Sequence, residues 1–392
     1  MAVVVHGAQL IDGTGAPAVP DGAVLIEADR IAAVGRISSL RLPAGAEVIE
    51  AGGTVLPGLI NAHTHCSIIP ALGDQTGQMK QGPLPSAFRA AGNMRRELRS
   101  GVTTARIMGE EHFLDIELRR AIEAGFVPGP RLLTSGVHLT SSHGHGRALS
   151  ATDGVEAVRR RVRENVAAGC EWIKLFITGG VSSVGAALEA YTYTREEIRA
   201  ACEEAHRAGR RVAAHAHGGP GVRVALEEGV DTIEHGALLT ADDVALLRDL
   251  GRYLVCTFAI LYHPDGIERT DRHNPAIWSK VVALREDEAV RFREILASGV
   301  RYAVGTDSMH GLLWFEMATL VRFGVDPMEA ILAATARAAE ACAVADRVGT
   351  LAPGKLADVV VVEGDPLSEI EAMRNVRLVL KSGRRCEHLS EQ

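Results

Sequence analysis

From about residue 54 to residue 347, short runs of apolar and β-branched residues alternate with longer stretches whose apolar positions recur every three or four residues. The short runs read "TVLPGLINAHTH", "GVTTARIM", "RLLTSGV", "WIKLFITGG", "RVAAHAHG", "DTIEHG", "RYLVCTF" and "RYAVGTD". Their length, composition and flanking turn residues predict strands. The intervening stretches carry helix signals. Thr194 and Glu197 have the spacing of a capping box ahead of "EEIRAACEEAHRAG", which stops at Gly209. Val155, Val158, Val162 and Val166 mark a helical stripe in "DGVEAVRRRVRENVAAG", which makes Arg159, Arg160, Arg161 and Arg163 its solvated face. Strand and helix alternating eight times predicts a parallel α/β sheet, and eight units close a (β/α)8 TIM barrel.

The two ends of the chain have a different pattern. Residues 1–53 and about 348–392 show β alternation punctuated by "DGTGAP", "PDG", "APGK", "EGDP" and "KSG", with few helical stretches. They are expected to pair with each other. The predicted architecture is therefore a barrel over residues 57–347 flanked by a small β-sandwich formed by both termini, residues 1–56 and 348–392.

Composition narrows the class. The chain has 392 residues, 47% of them hydrophobic, with 41 glycines, which suits a globular protein rich in tight turns. Its 42 Lys and Arg against 49 Asp and Glu leave a net charge of −7, which argues against nucleic acid or an anionic membrane as partner. Six cysteines, at 66, 170, 202, 256, 342 and 386, lack any C-x-x-C pair and fit reduced thiols. The start "MAVVVHGAQLIDGTG" has no signal-peptide pattern, and no run of eighteen apolar residues occurs. A cytoplasmic protein is expected, and a homo-oligomer is left open.

Candidate chemistry sits where a barrel places it, at the carboxyl ends of strands. His63 and His65 close the first run, Lys174 lies in the fourth, His215 ends the fifth, His235 the sixth and Asp307 the eighth. Residues i and i+2 of a strand share a face, so His63 and His65 form either half of a metal site or a pair of satisfied polar residues. Four histidines, a lysine and an aspartate at one mouth make a ligand set suited to divalent metals such as zinc. Lys174 interrupts a strand expected to be buried on both faces. Either its head snorkels to the mouth, or it has reacted with carbon dioxide to give a carbamate whose two oxygens bridge two metals.

The order HxH, Lys, His, His, Asp resembles the binuclear pattern of the amidohydrolase superfamily. "GLINAHTH", "GVTTARIMG", "EWIKLFITGGV", "VAAHAHG", "TIEHG", "VGTDS" and "VGTLAPGKLADVVVVEGDP" are similar to the branch with prolidase-like dipeptidases, ochratoxin-hydrolysing amidases and, more distantly, imidazolonepropionase. The resemblance covers nearly the whole chain. It implies that His63, His65 and Asp307 bind the more buried of two divalent ions, zinc being expected, that His215 and His235 bind the other, and that carboxylated Lys174 bridges them. It further implies a metal-bridging hydroxide as nucleophile, with Asp307 taking its proton and passing it to the leaving nitrogen.

In the loop "GVHLTSSHGHGRAL" the resemblance puts His143 at the substrate carbonyl, with His138 and His145 as lesser candidates. His217 shares the face of His215 and is expected to contact substrate. Cys66 is expected to be a small buried thiol. His310 receives no role. Residues 258–280 are expected to form a lid carrying specificity through residues such as Tyr262, His263 and Trp278. The implied activity is hydrolysis of an amide bond in a dipeptide, N-acyl amino acid or related small carboxamide. Cyclic amides of the imidazolonepropionase kind, and carbamates or esters of xenobiotic type, are the alternatives. A binding protein on a dead barrel would be expected to have lost ligands, and here the set is complete.

Overall fold

The computed structural model describes residues 2–147, 149–185 and 187–386. Residues 1 and 387–392 of the two expected terminal segments lie outside them. Eight strands occur in the expected order: β1 (Leu59–Thr64), β2 (Val102–Ile107), β3 (Arg131–Leu133), β4 (Trp172–Phe176), β5 (Arg211–Gly218), β6 (Thr232–Leu238), β7 (Tyr253–Cys256) and β8 (Arg301–Val304). They pair in parallel as two groups, β3-β2-β1 and β4 through β8. At one seam, Leu139 N donates to Lys174 O at 2.8 Å and Phe176 N to Leu139 O at 2.9 Å. At the other, the amides of Thr306 and Asp307 donate to His63 O at 2.9 and 3.0 Å. The result is a TIM-barrel-like α/β fold.

Period-two alternation sorts the side chains. In β4, Ile173 and Leu175 join the large cluster shared with the surrounding helices, whereas Trp172 belongs to a separate cluster with Ala213, Tyr253, Val255 and Ala303 from neighbouring strands. Lys174 and Phe176 continue the Trp172 face upward. Likewise Ala213 leads to His215 and His217 in β5. Register shifts in the β1–β2 pairing, between Asn61 and Thr64, let Ala62 pack in the lower cluster while His63 and His65 reach the mouth.

The helices follow their signals. Thr194 caps Arg195–Arg207, with Glu197 returning the bond to Thr194 N at 2.7 Å. Val158 and Val162 of Val155–Ala168 are buried, and Arg159 and Arg163 ion-pair with Glu204 of the next helix as well as facing solvent.

Two expectations need refinement. "TVLPGLINAHTH" is two strands, because Pro57 has no amide to donate and Gly58 passes so close to Thr103 that a Cβ there would lie 2.1 Å from its Oγ1. Thr54–Pro57 instead pairs with Val359–Val362. The segment 258–280 is largely helical, through Ala259–Tyr262, Ile267–Asp271 and the start of Pro275–Ala297. Buried Glu316 anchors its entry by accepting from Phe258 N and Ala259 N, both at 2.7 Å.

The chain ends do meet. One sheet runs Arg30–Arg36, Gly22–Glu27, Ala2–His6, Glu47–Glu50; another joins Val376–Lys381 and Val359–Val362 to Thr54–Pro57 and Gln9–Leu10. Val5, Val24 and Ile26 of the first pack with Val55, Val359 and Leu380 of the second. No described helix is long and apolar enough to cross a membrane.

Candidate active site

The strand ends bring histidine rings into a continuous arc. His63 lies 5.6 Å from His65 and 4.9 Å from His235, His235 lies 4.6 Å from His215, and His215 lies 5.0 Å from His217, centroid to centroid. One donor atom each from His63, His65 and Asp307 lies within 4.8 Å of the others. Asp307 Oδ1 stands 3.5 Å from His63 Nε2 and 3.6 Å from His65 Nε2. Asp307 and His235 both have positive φ, 45° and 73°, an uncommon conformation for residues with a Cβ. For His235 this turn sets the side chain off the strand's simple alternation, so that both it and Glu234 serve the interior.

Three of the rings are oriented from behind. His63 Nδ1 meets Glu234 Oε2 at 2.7 Å, His65 Nδ1 meets Gly109 O at 2.9 Å, and His235 Nδ1 meets Thr257 Oγ1 at 2.7 Å. The opposite nitrogen of each is thereby left for a ligand. Glu234 in turn accepts from Arg106 Nη2 at 2.8 Å, and the guanidinium lies 4.4 Å over the Trp172 ring. Burial opposes the charge on Glu234, but Arg106 and His63 outweigh it and lower the carboxyl to about 2. Burial also opposes the charge on Asp307, and contact with His63 and the nearby His65 and Lys174 overcomes it, holding the carboxyl below its ordinary range. Burial lowers His65 and His145 to about 3 and His217 to about 4. It also takes His215 and His235 well below the usual imidazole range. These rings are therefore neutral and can offer lone pairs.

Lys174 does not snorkel. It is fully buried, its Nζ has no hydrogen-bond partner, and it lies 5.1 Å from the centroid of the Phe176 ring. Burial lowers its ammonium to about 8 against the attraction of Glu234 and Asp307. His63 Nε2 is likewise buried without a partner. Orphaned nitrogens of this kind, beside an ionised carboxylate and neutral imidazoles, fit metal ligation.

His143 is not brought to the site. It is exposed, on the turn beyond Ser142, and its expected place is taken by His145. The ring of His145 is 4.4 Å from that of His215, and its Nδ1 meets Ser183 Oγ at 2.6 Å. Glycine makes the approach feasible, since a Cβ on Gly180 would lie 2.3 Å from the His145 ring. The signal was present in the overlapping "HGHG", where the second histidine rather than the first has a glycine on each side. His138 is buried and bonds Gly146 O at 2.8 Å, fastening the same loop from beneath. His310 is tied to Glu97 and to Ile68 O, both at 3.1 Å. Cys66 is buried within the main apolar cluster.

The mouth opens into a pocket. His65, His145, His215, His217, His235 and Asp307 line it on the strand side. Ile260, Leu261, Ile267 and Glu288 line it from the segment after β7. Tyr262, His263 and Trp278, the residues expected to carry specificity, are not among the lining residues. His263 packs on Phe315, while Trp278 is flanked by Arg272 and Arg285. Arg106, Glu234 and Glu288 were not singled out from the sequence. The first two are charges inside apolar runs, the signal that marked Lys174.

A TIM-barrel-like fold with imidazoles and a carboxylate gathered at the carboxyl ends of its strands defines a metal-dependent hydrolase. Residues 54–386 match the amidohydrolase family. Ochratoxinase from Aspergillus niger is 27% identical over 414 residues, covering 96% of this chain and 84% of that protein. Imidazolonepropionase from Streptomyces griseus is 26% identical over 393 residues, covering 92% and 90%. The crystal structure of a Xaa-Pro dipeptidase with methionine in its active site superposes with a TM-score of 0.88 at 28% identity, covering 98% of this chain and 99% of that one. The chain belongs to the amidohydrolase family, in its prolidase- and ochratoxinase-like branch, and is a hydrolase acting on carbon–nitrogen bonds.

Proposed function

We propose that the protein cleaves the amide bond of a dipeptide, N-acyl amino acid or related small carboxamide with two divalent ions, zinc in the first instance, at the barrel mouth. His63, His65 and Asp307 would hold one, His215 and His235 the other, with carboxylated Lys174 between them. The observation that carries the reading is the convergence of His63, His65 and Asp307 donor atoms within 4.8 Å, beside a buried lysine nitrogen that has no partner. Metal at such a site lowers the pKa of a bound water to about 7 and polarises a carbonyl. Lys174, with its ammonium lowered to about 8, has an accessible neutral form, which is what addition to carbon dioxide requires.

The chain's own groups then divide the work. Asp307 accepts the proton of the attacking water and returns it to the leaving nitrogen as the carbon–nitrogen bond breaks. His145, receiving a hydrogen bond from Ser183 at Nδ1, keeps its proton on Nε2 and donates it toward the developing oxyanion, the role expected of His143. His217, with Nδ1 buried and unpartnered, contacts the substrate. The proposal includes a closed (β/α)8 barrel over residues 57–347, a terminal β-sandwich from 1–56 and 348–392, and a cytoplasmic setting in keeping with free cysteines.

The likeness to imidazolonepropionase over 92% of the chain supports a second reading, opening of a cyclic amide. One experiment covers both. Metal per chain is measured by plasma mass spectrometry, and the loaded protein is screened against dipeptides, N-acyl amino acids, cyclic amides and carbamates. Cleavage is expected with the first two classes, falling about a thousandfold in Asp307→Asn with metal retained. No cleavage of any amide by loaded protein overturns the reading.

A further inference from the structure

Glu288 sits midway along the helix Pro275–Ala297, lines the pocket, and is only 2% exposed. Its Oε2 has no hydrogen-bond partner. Among the other described buried carboxyls, Glu97 also has an unpartnered Oε2, but its Oε1 is bonded by Asn61 at 3.2 Å and by His310 at 3.1 Å, and it lies outside the pocket. Glu316 takes two backbone amides, and Glu110 takes the amide and hydroxyl of Ser67. The arginines on the same helix attract Glu288 from a distance but make no ion pair with it, since Arg285 bonds Leu261 O and Glu268 while Arg291 bonds Ala237 O. The Tyr262 hydroxyl, also without a hydrogen bond of good geometry, faces Glu288 and is a neutral donor that offsets only part of the cost of its charge. A leucine at 288 would suit the neighbouring Ile260, Leu261 and Ile267 far better if packing were all the position had to do. Burial pushes the carboxyl up to about 7, which marks how poorly the protein alone accommodates its charge.

The rest of the lining sharpens the point. Asp307 and Glu288 are the acidic residues among the described pocket residues, and no lysine or arginine is among them. With Asp307 assigned to the metal side, Glu288 remains as a polar end set in an apolar wall.

We propose that Glu288 is a specificity-determining residue that reads the distal end of the substrate by accepting a hydrogen bond from a nitrogen donor, an ammonium above all. The substrate class is an amide whose side chain is an aliphatic stem ending in an amine. The stem lies along Ile260, Leu261 and Ile267, and the amine supplies the counter-charge that Glu288, faced only by the neutral Tyr262 hydroxyl, lacks. This rests on the hydrolase reading above, and its test is arranged so that the two fail separately.

Metal-loaded protein is given Gly-Lys and Gly-norleucine, which differ by the terminal amine. The wild type should favour the lysine substrate by at least about tenfold in kcat/KM, expressed in KM, because the buried carboxyl stays unpaired with norleucine. Glu288→Gln should collapse that ratio to within about threefold, whereas Glu288→Asp should recover part of it. Free lysine and norleucine, titrated by calorimetry into loaded wild type and Glu288→Gln, give the same comparison without turnover. A wild type indifferent to the amine, or a preference that survives in Glu288→Gln, overturns the proposal. Absence of any turnover with lysine still binding tighter than norleucine in a Glu288-dependent way overturns the hydrolase reading and leaves this one standing.

Discussion

The two walls of the pocket are built on different plans. On the strand side three of the rings are fixed by a partner behind them, His63 by Glu234, His65 by Gly109 O and His235 by Thr257. On the opposite side, helices after β7 present Ile260, Leu261, Ile267 and the carboxyl of Glu288, which makes no ion pair with any described residue and is backed only by the neutral Tyr262 hydroxyl. The first wall is over-determined, as a site that must hold its groups within a fraction of an ångström requires. The second is shaped for contact with something else. The proposed chemistry and the proposed selectivity thus fall on different elements of one cavity, so each should be open to disturbance without the other.

The largest effect should come from the one residue of the first wall that breaks its own rule. Lys174 has no partner in the protein, so its place depends on what it is converted to or what it binds. Lys174→Ala should lose about half the bound metal and lower turnover by more than about a thousandfold, and short-chain carboxylic acids should restore part of both. Metal content by plasma mass spectrometry and kcat measured side by side decide it. Unchanged metal and turnover would remove the bridge from the mechanism and put Lys174 among ordinary buried lysines.

A smaller effect separates two histidines two residues apart. His145→Ala should lower kcat by about a hundredfold, in the range for loss of an oxyanion donor, while His143→Ala should change it by less than about twofold. The reverse order would mean that the loop closes differently on substrate. Measuring both on one substrate at saturating metal makes the contrast internal.

Legibility in the sequence followed the same division between walls. The strand-side residues were readable because a polar residue in or at the end of an apolar run has few places to go in a barrel, and HxH, Lys, His, His and Asp fell on the first, fourth, fifth, sixth and eighth strands. The supporting pair Arg106–Glu234 was readable in principle, each being a charge within an apolar run. Its partnership was not, because it joins strands 128 residues apart only after the barrel has formed. His145, a lesser candidate from the sequence, lines the pocket and His143 does not, because loop register depends on close approaches such as Gly180 to the imidazole, which spacing does not reveal. Glu288 falls on the buried stripe Ile277, Val281, Leu284, Phe292 and Ile295 of its helix, so its burial was readable in principle, whereas its place at the pocket depends on tertiary packing. The segment after β7 likewise became helical where composition alone suggested an irregular lid.

The Arg106–Glu234 pair offers the finest test, because it supports the first wall without touching the pocket. Glu234→Gln keeps the shape but leaves Arg106 buried without a counter-charge, which should cost about 3–5 kcal/mol of stability by denaturant unfolding. It also removes the charged acceptor at His63 Nδ1, weakening metal affinity by about 10–100-fold while kcat at saturating metal falls less. The pH dependence carries a sign. The carboxyl is lowered to about 2 in the folded protein, so its contribution is fully present above the ordinary carboxylate range, about 4.5, and is lost as pH falls from there toward 2. Glu234→Gln should therefore flatten that part of the acid limb. The double variant Arg106→Met with Glu234→Leu separates the two functions of the pair: it removes both buried charges, so stability should largely return, while His63 still lacks its acceptor and metal affinity should stay low. If affinity returns together with stability, the pair serves only the packing of the barrel interior, and the orientation of His63 is set by the strand alone.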